Sequence, residues 1–410
     1  MDPLRNPYTP NAGATPPVIA GREGLESQFQ VLLSRKARGR SEKSMIITGL
    51  RGVGKTVLLE QFRQTATSQD WVAVNREMVK HSEDDFRRTL TDVLRKALLA
   101  LSPRDRWTTR LKDALAVLRS FSLSIDPEGK LTAGFDVGVQ YGQADLGVLN
   151  QDVVDLFLAA GEAAKEQGRG IILLFDEIQF LSSPQLEALI MGLHATTQRS
   201  LPVILVGAGL PQIAAVAGDA KSYAERLFAF PQIVNLTVEQ SHQALQEPAV
   251  QEGTRWTDAA LYLAYAQTEG YPYFLQELGY ATWAIAHGEV ITESDVSLAL
   301  PSYESTLDSS FFRVRLERTT ELQQAYLRAM AELGSAPQKA ADVAALMGRQ
   351  SNQVAPTRAD LISMGLLYPP QQQHGYAAFT VPQFDRFMKR TIPEFTAPPI
   401  HRRHTGTNGR

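Results

Sequence analysis

One eight-residue segment, GLRGVGKT, constrains the fold of this chain more than any other part of its sequence. It matches the pattern G-x-x-x-x-G-K-[ST] and lies between an apolar run, Met45–Thr48, and a run with helical spacing, Val57–Ala66. A strand, a glycine-rich loop and a helix are therefore expected in succession. In such a loop, backbone amides converge on phosphate oxygens, and the helix start adds unpaired N–H groups. The predicted phosphate-binding residues are Gly49, Leu50, Arg51, Gly52, Val53, Gly54, Lys55, Thr56 and Val57.

A second motif, Ile171–Phe175 followed by Asp176 and Glu177, supplies the carboxylates that phosphate chemistry needs. The unbroken apolar run predicts a strand buried on both faces, and ligands of open α/β sheets bind at the carboxyl ends of such strands. We expect Lys55 to neutralise the β- and γ-phosphates, while Thr56 and Asp176 coordinate Mg²⁺. Glu177 is expected to polarise the water that attacks the γ-phosphate, so the two motifs predict a site that binds and hydrolyses ATP.

Apolar runs that alternate with helical spacing predict the class of fold. The other strands are expected at Trp71–Asn75, Val203–Val206 and Ile233–Leu236, and helices at residues 24–38, 82–101, 149–167 and 183–198. This alternation is typical of an α/β fold, here a P-loop NTPase parallel sheet with helices on both faces. Residues 121–139 contain two alternating runs around Asp-Pro-Glu-Gly, which predicts a β-hairpin inserted outside the main sheet.

The C-terminal part of the chain has a different pattern. Residues 305–395 contain a short helix, a turn, a second helix at Ser351–Ser363 and a strand at Ala378–Val381. This order predicts a winged helix-turn-helix with residues 369–377 as the wing. If the second helix enters a DNA major groove, its candidate base contacts are Gln350, Ser351, Asn352, Gln353, Thr357 and Arg358. The alternative is a winged helix that packs against protein.

The domain boundaries follow from these patterns. A stretch rich in Pro, Asn and Gly at residues 1–18 predicts a flexible arm that is either mobile or draped over the protein, and residues 396–410 predict a disordered tail. The nucleotide-binding domain is placed at residues 19–238. Strand signals then stop, and residues 239–304 have the spacing of three or four helices, which predicts a helical lid before the winged helix at residues 305–395.

Charge is unevenly distributed along the chain of 410 residues. The net charge is −3, but residues 311–410 carry 13 Lys and Arg against 7 Asp and Glu, a net +6 that leaves −9 for the remainder. A basic end attracts phosphates, so double-stranded DNA is a candidate partner. The chain has no cysteine, which excludes disulfides and thiol catalysis. Because no apolar run reaches the ~20 residues of a membrane span, we expect a cytoplasmic protein with no membrane partner.

The motifs resemble those of the AAA+ ATPases, above all the origin-recognition and replication-initiator branch and its prokaryotic relatives. The resemblance covers roughly residues 15–390 and rests on GLRGVGKT, LLFDEIQFL, GYPYFLQELG and the C-terminal unit. It implies an ATPase that uses ATP and Mg²⁺ to switch conformation. It also implies that Val18 and, in the lid, Pro272 pack near the adenine. For Arg22, in Gly21-Arg22-Glu23, we favour a structural role.

The chain departs from the family pattern at two polar sensor positions. Family members end the strand beside the Asp-Glu strand in a polar residue, whereas this strand ends Val206-Gly207-Ala208-Gly209. Many relatives carry an Arg at the start of a lid helix, whereas this segment reads Gly270-Tyr271-Pro272-Tyr273-Phe274. Gln179, close after Glu177, is a candidate for orienting water or for a structural role at a helix start. The missing sensors imply slow hydrolysis.

Arg226 lies before the last expected strand, about where the family places an arginine finger. An Arg supplied by a neighbouring subunit would stabilise transition-state charge, so the resemblance implies a homo-oligomer or another protein partner. The alternatives are a surface residue or a pair with Glu225, and Arg199 is a weaker candidate. The sequence therefore predicts a slow ATPase associated with DNA through its winged helix. The alternative is an oligomerising signal-transduction or defence ATPase whose winged helix packs against protein.

Overall fold

The computed structural model describes residues 1–11, 13–80, 82–103, 106–123, 126, 128, 137–140, 142–370 and 373–396. Its backbone contacts divide the chain into two units, Met1–Val296 and Ser297–Arg410. The division falls inside the helix Glu293–Thr306 rather than at the predicted boundary after residue 304. None of the helices in the described residues is both long and apolar enough to span a membrane.

A five-stranded parallel sheet with strand order β2–β3–β4–β1–β5 lies at the centre of the first unit. Its strands are β1 (Ser44–Thr48), β2 (Val72–Glu77), β3 (Ile171–Asp176), β4 (Val203–Gly209) and β5 (Phe228–Ala229). The last strand predicted at Ile233–Leu236 is wrong, since β5 ends before it. Thr48 and Gln232 form an isolated parallel bridge, in which Thr48 N–H donates to Pro231 O and Ile233 N–H donates to Thr48 O, each at 2.8 Å.

Eight helices in the described residues accompany this sheet. They are α1 (Glu23–Ala37), α2 (Lys55–Ser68), α3 (Glu83–Leu101), α4 (Thr109–Leu123), α5 (Leu149–Glu166), α6 (Ser183–Gln198), α7 (Ile213–Ala220) and α8 (Ala224–Leu227). Successive residues of a strand face opposite sides of its sheet. Leu173 of β3 joins a buried cluster with residues of α3 to α6, whereas Leu174 is buried outside that cluster, and α2 packs against β2, β3 and β4. Helices therefore cover both faces, as predicted.

The hairpin predicted at residues 121–139 is wrong at its start, because residues 121–123 form the last turn of α4. Phe121 follows the buried Val117 and Leu118 by four and three residues, the spacing of one helix face, and it is fully buried below the guanidinium of Arg87. Phe121, the first of the alternating apolar residues in the predicted hairpin, thus belongs to the buried face of α4. Most of residues 124–136 lie outside the described residues, and residues 137–139 form no strand.

A bundle of helices follows the sheet, in agreement with the predicted spacing. Its elements are α9 (Val238–Gln251), β6 (Arg255–Trp256), α10 (Asp258–Thr268), α11 (Pro272–Ile285), β7 (Val290–Ile291) and α12 (Glu293–Thr306). The short strands β6 and β7 pair in parallel and were not predicted. Their two-residue length leaves no alternation for sequence reasoning to detect.

The N-terminal residues 1–11 pack on this bundle, so of the two alternatives for this arm the structure has the draped one. The ring of Tyr8 is 1% exposed, and its hydroxyl donates to Leu245 O at 2.6 Å while accepting from Trp256 Nε1 at 2.7 Å. The amide of Thr9 donates to Gln276 Oε1 at 3.0 Å. One aromatic side chain therefore anchors a stretch whose composition alone is that of a loose tail.

The second unit combines helices with three short antiparallel strands. After a π-helical turn at Leu307–Phe312, its elements are α13 (Arg313–Leu316), α14 (Glu321–Leu333), β8 (Gln338–Lys339), α15 (Ala340–Leu346), α16 (Ser351–Ser363), β9 (Leu367–Tyr368), β10 (Tyr376–Phe379) and α17 (Phe384–Thr391). The strands pair antiparallel in the order β8–β10–β9. The helix predicted at Ser351–Ser363 is confirmed, and the predicted tail lies outside the described residues from residue 397 onward.

Candidate active site

The glycine-rich loop connects the carboxyl end of β1 to α2, which begins at Lys55. Gly52 and Gly54 have φ angles of +75° and +94°, in the left-handed region that favours glycine. The amide of Gly49 donates to Gly209 O at 3.1 Å, which fixes the loop's first residue to the end of β4. The motif therefore forms the strand, loop and helix start that sequence reasoning expected around a phosphate.

Lys55 is 6% exposed, and its ammonium group lies inside the loop. Its Nζ donates to Gly49 O at 3.0 Å and to Leu50 O at 2.7 Å. Burial lowers the pKa of Lys55 to about 8, although the negative charges of Glu177 and Asp176 act in the opposite direction. The side chain thus holds a desolvated cation against the loop carbonyls, at the position where an anionic phosphate would stabilise it.

Thr56 and Asp176 form a direct contact between the two motifs. The Thr56 hydroxyl donates to Asp176 Oδ2 at 2.6 Å, and Asp176 Oδ1 accepts from the amide of Glu177 at 2.8 Å. The Asp176 side chain is buried, while Thr56 is exposed. Two oxygen donors beside the phosphate loop fit Mg²⁺, which prefers oxygen ligands and usually takes one or two from protein beside phosphates and water.

Glu177 follows β3 directly and has a backbone conformation that is unusual for its type. Its φ of +51° lies in the left-handed region, at the point where the strand turns into the 3-10 turn Ile178–Phe180. Its carboxylate Oε2 accepts a hydrogen bond from the amide of Gln179. The side chain is half-buried, so Glu177 lies next to Asp176 with its acid group tied to a neighbouring side chain.

Arg22 bonds to the backbone of the phosphate loop, in agreement with the structural role favoured for it. It does not cap α1 with its side chain. Instead its Nη2 donates to Val53 O at 3.1 Å and to Val234 O at 2.9 Å, and its side chain is buried. Burial lowers the pKa of Arg22. The guanidinium therefore joins the phosphate loop to the segment that leads into the helical bundle.

Tyr271 makes a contact with the loop that sequence reasoning missed. Its hydroxyl donates to Arg51 O, and a Cβ on Gly52 would lie 2.2 Å from the hydroxyl oxygen of Tyr271. The ring is fully buried at the residue before α11. The only signal for this contact in the sequence was an aromatic residue beside Pro272, in the segment that lacks the Arg of many relatives. Tyr271 therefore brings the start of the lid helix onto the phosphate loop.

The remaining predicted residues of the first unit lie at its surface or margin. Val18 and Pro272 are half-buried, and Pro272 is the first residue of α11. Arg226, in α8, is exposed, and within the described residues its guanidinium has no hydrogen-bond or ion-pair partner. The described residues therefore contain no ion pair between Arg226 and Glu225. Arg199 is exposed at the C-terminal cap of α6.

Two of the candidate base-contacting residues on α16 are placed unfavourably for contact with DNA bases. Thr357 is buried, and Arg358 Nη2 donates to Tyr376 O of β10 at 2.5 Å. The Arg358 side chain thus bonds α16 to β10, a contact that helical spacing alone could not show. The exposed candidates in the first turn of α16 are Ser351, Asn352 and Gln353.

The fold and this arrangement of lysine, hydroxyl and paired carboxylates define an ATPase of the P-loop NTPase class. Residues 18–206 match the family described as an AAA ATPase domain, a little under half of the chain. Residues 309–388 match a domain of unknown function, DUF8462. A search of the curated proteins returned no match.

A search of solved structures returned matches at low sequence identity. The Walker-type ATPase PABY2304 of Pyrococcus abyssi is 16% identical, over 90% of this chain and 96% of that chain, with a TM-score of 0.51. The Aeropyrum pernix Orc1 protein, solved in complex with DNA, is 15% identical over 92% and 94%, with a TM-score of 0.44. Cdc6p from Pyrobaculum aerophilum is 15% identical over 96% and 98%, with a TM-score of 0.44. The likeness to PABY2304 concerns the fold alone.

Proposed function

We propose that this ATPase binds ATP with Mg²⁺ between the phosphate loop and the lid, and hydrolyses it slowly to ADP and phosphate to switch conformation. The hydrogen bond of 2.6 Å between Thr56 and Asp176 carries the proposal, because it brings both oxygen ligands to the loop that holds Lys55. Bound Mg²⁺ would neutralise charge on the phosphate oxygens. Val18 and Pro272 are proposed to flank the adenine.

The chain's own residues have distinct roles in this proposal. Lys55 exchanges its bonds with Gly49 O and Leu50 O for phosphate oxygens. Glu177 accepts a hydrogen bond from the attacking water and orients it toward the phosphorus. Slow turnover is supported by the end of β4, where Gly207, Ala208 and Gly209 offer no polar side chain to the γ-phosphate.

Phosphate release by the purified protein tests this function. We expect ATP-dependent release from the wild type, loss of ATP binding in Lys55→Ala, and binding without turnover in Glu177→Gln. Lys43→Ala is the matched control, since Lys43 is exposed and its Nζ donates to Glu225 O, outside the phosphate loop. Unchanged ATP affinity in Lys55→Ala would refute the site.

Assembly into an oligomer is proposed from Arg226, an exposed cation without a partner among the described residues. In trans it would reach the phosphates of a neighbouring subunit and stabilise transition-state charge. Mixing Arg226→Ala with Glu177→Gln tests this role, because a mixed assembly then contains some intact sites. We expect the mixture to recover turnover that neither variant has alone. Arg199→Ala, on another exposed arginine, should turn over like the wild type.

DNA association is proposed through the exposed first turn of α16, where Asn352 and Gln353 could read adenine edges. The bond from Arg358 to Tyr376 O engages one of the candidate base contacts, which favours the alternative, in which this unit packs against protein. Duplex binding at two salt concentrations separates the two functions. A DNA-associated ATPase should bind less tightly at high salt and lose binding in Asn352→Asp/Gln353→Glu. If the size of the assembly and its ATPase rate are the same with and without DNA, the alternative in which this unit packs against protein is favoured.

A further inference from the structure

Gln179 spans the gap between the acid group of Glu177 and the end of strand β4. Its side-chain amide donates to Glu177 Oε2, and its side-chain carbonyl Oε1 accepts from the amide of Leu210 at 3.1 Å. Leu210 is the first residue after β4. Both polar ends of one side chain are therefore engaged, and this restricts its rotation to one arrangement.

Gly209 leaves the space that this side chain occupies. A Cβ on Gly209 would lie 2.9 Å from Gln179 Oε1 and 3.0 Å from the Cγ2 of Ile178. Gly209 O also accepts from the amide of Gly49, the first residue of the phosphate loop. The carbonyl end of Gln179 is thus held by backbone that is itself bonded to the phosphate loop.

This link fixes the geometry of Glu177 relative to the phosphates. One carboxylate oxygen, Oε2, is engaged by Gln179, while Oε1 has no hydrogen-bond partner among the described residues. The backbone of Glu177 is turned by its φ of +51°, which sets the direction in which the side chain leaves the strand. A carboxylate held by one oxygen presents the other in a defined direction, as a residue that orients water requires.

We propose that Gln179 is the positioning residue for Glu177: it holds the carboxylate so that Oε1 faces the reacting water. This inference rests on the proposed function, in which Glu177 orients that water. Gln179 acts through Glu177 and has no contact with the phosphate loop of its own that would set ATP affinity. Its loss should therefore lower kcat and leave ATP binding unchanged.

Two variants of Gln179 separate positioning from a structural role. Gln179→Met keeps the length of the side chain and removes both hydrogen bonds. Gln179→Glu keeps an oxygen that can accept from Leu210 N–H, but it loses the donor and places a second negative charge beside Glu177. Gln64→Met, on an exposed residue of α2, is the control.

Single-turnover phosphate release and equilibrium ATP binding are measured for each variant. We expect the single-turnover rate constant for phosphate release to fall at least about tenfold in both Gln179 variants, with ATP Kd within about twofold of the wild type. Wild-type turnover in Gln179→Glu would overturn the inference, because the bond to Leu210 would then be the one that matters. Faster turnover in either variant would overturn it too, since the contact would then restrain Glu177.

The wild type and Glu177→Gln, measured in parallel, distinguish failure of the proposed function from failure of the positioning role of Gln179. If the wild type releases no more phosphate than Glu177→Gln, the proposed function fails and the positioning role falls with it. If the wild type is active, Glu177→Gln is not, and Gln179→Glu matches the wild type, only the positioning role fails.

Discussion

The hydroxyl of Thr56 donates a hydrogen bond of 2.6 Å to the carboxylate of Asp176, a residue 120 positions later in the chain. The bond joins the first turn of α2 to the carboxyl end of β3, and the negative charge of Asp176 acts on the ammonium group of the buried Lys55. Such a contact brings the two halves of a phosphate site together before any nucleotide binds, so part of the entropy of ordering the site is already lost on folding.

Removing the Thr56 hydroxyl should weaken the dependence of ATP binding on Mg²⁺. We expect Thr56→Ala to bind ATP with Mg²⁺ at least about tenfold more weakly, and EDTA to have little further effect, whereas Thr56→Ser keeps the oxygen and the Mg²⁺ response. Isothermal titration with and without EDTA measures this. Thr67→Ala, in the last turns of the same helix, is the control. A full Mg²⁺ response in Thr56→Ala would contradict the role of the hydroxyl.

The bond between Tyr271 and Arg51 O should stabilise the closed arrangement of lid helix and phosphate loop. Tyr271→Phe keeps the ring and loses one hydrogen bond, so we expect nucleotide to dissociate about three- to tenfold faster. Stopped-flow release of a fluorescent ATP analogue measures the rate. Tyr262→Phe, on an exposed tyrosine of α10, should leave it unchanged. An unchanged rate in Tyr271→Phe would show that the hydroxyl does not restrain the lid.

Arg22 should contribute to both folding and nucleotide affinity. Arg22→Ala leaves the carbonyls of Val53 and Val234 without their donor, which should lower the free energy of unfolding by about 1–3 kcal/mol and weaken ATP binding. Chemical denaturation monitored by circular dichroism gives the first quantity. Arg38→Ala removes an exposed arginine after α1 and should change neither. Stability equal to the wild type in Arg22→Ala would contradict the assignment.

A buried acid in the lid predicts a dependence of stability on pH. Burial raises the pKa of Glu277 on α11, and a bond of 3.4 Å from the Tyr273 hydroxyl only partly offsets this. Because the folded state holds the proton more tightly, the stability from this group is present below the ordinary carboxyl pKa and is lost as pH rises through the raised pKa.

Glu277→Gln should therefore raise the Tm by about 1–3 °C at pH 7 and lose this advantage near pH 4. Scanning calorimetry at the two pH values measures the effect. Glu289→Gln, on an exposed acid, is the control and should have the wild-type Tm at both. A variant less stable than the wild type at pH 7 would mean that the Glu277 carboxylate is stabilised by a partner when ionised.

Sequence reasoning performed best where one strong local pattern was enough. The loop GLRGVGKT fixed α2 and the position of Lys55, and the apolar run before Asp176 fixed β3. It failed where a short pattern fitted two structures, as in the alternating residues at the end of α4. It left a mobile and a draped N-terminal arm both open, because one buried side chain, Tyr8, decided between them. Alternation over three residues fits a strand and a helical turn equally well.

The sequence by itself determined that this chain would carry an α/β phosphate site, because glycines, a lysine and strand-end carboxylates at these spacings have few other uses. Only the tertiary structure decided how distant residues meet there. It placed Thr56 on Asp176, Gln179 between Glu177 and β4, and the lid's Tyr271 on the loop. Such contacts join residues far apart in the chain, or depend on which neighbours each side chain finds, so their geometry follows from packing and not from local spacing.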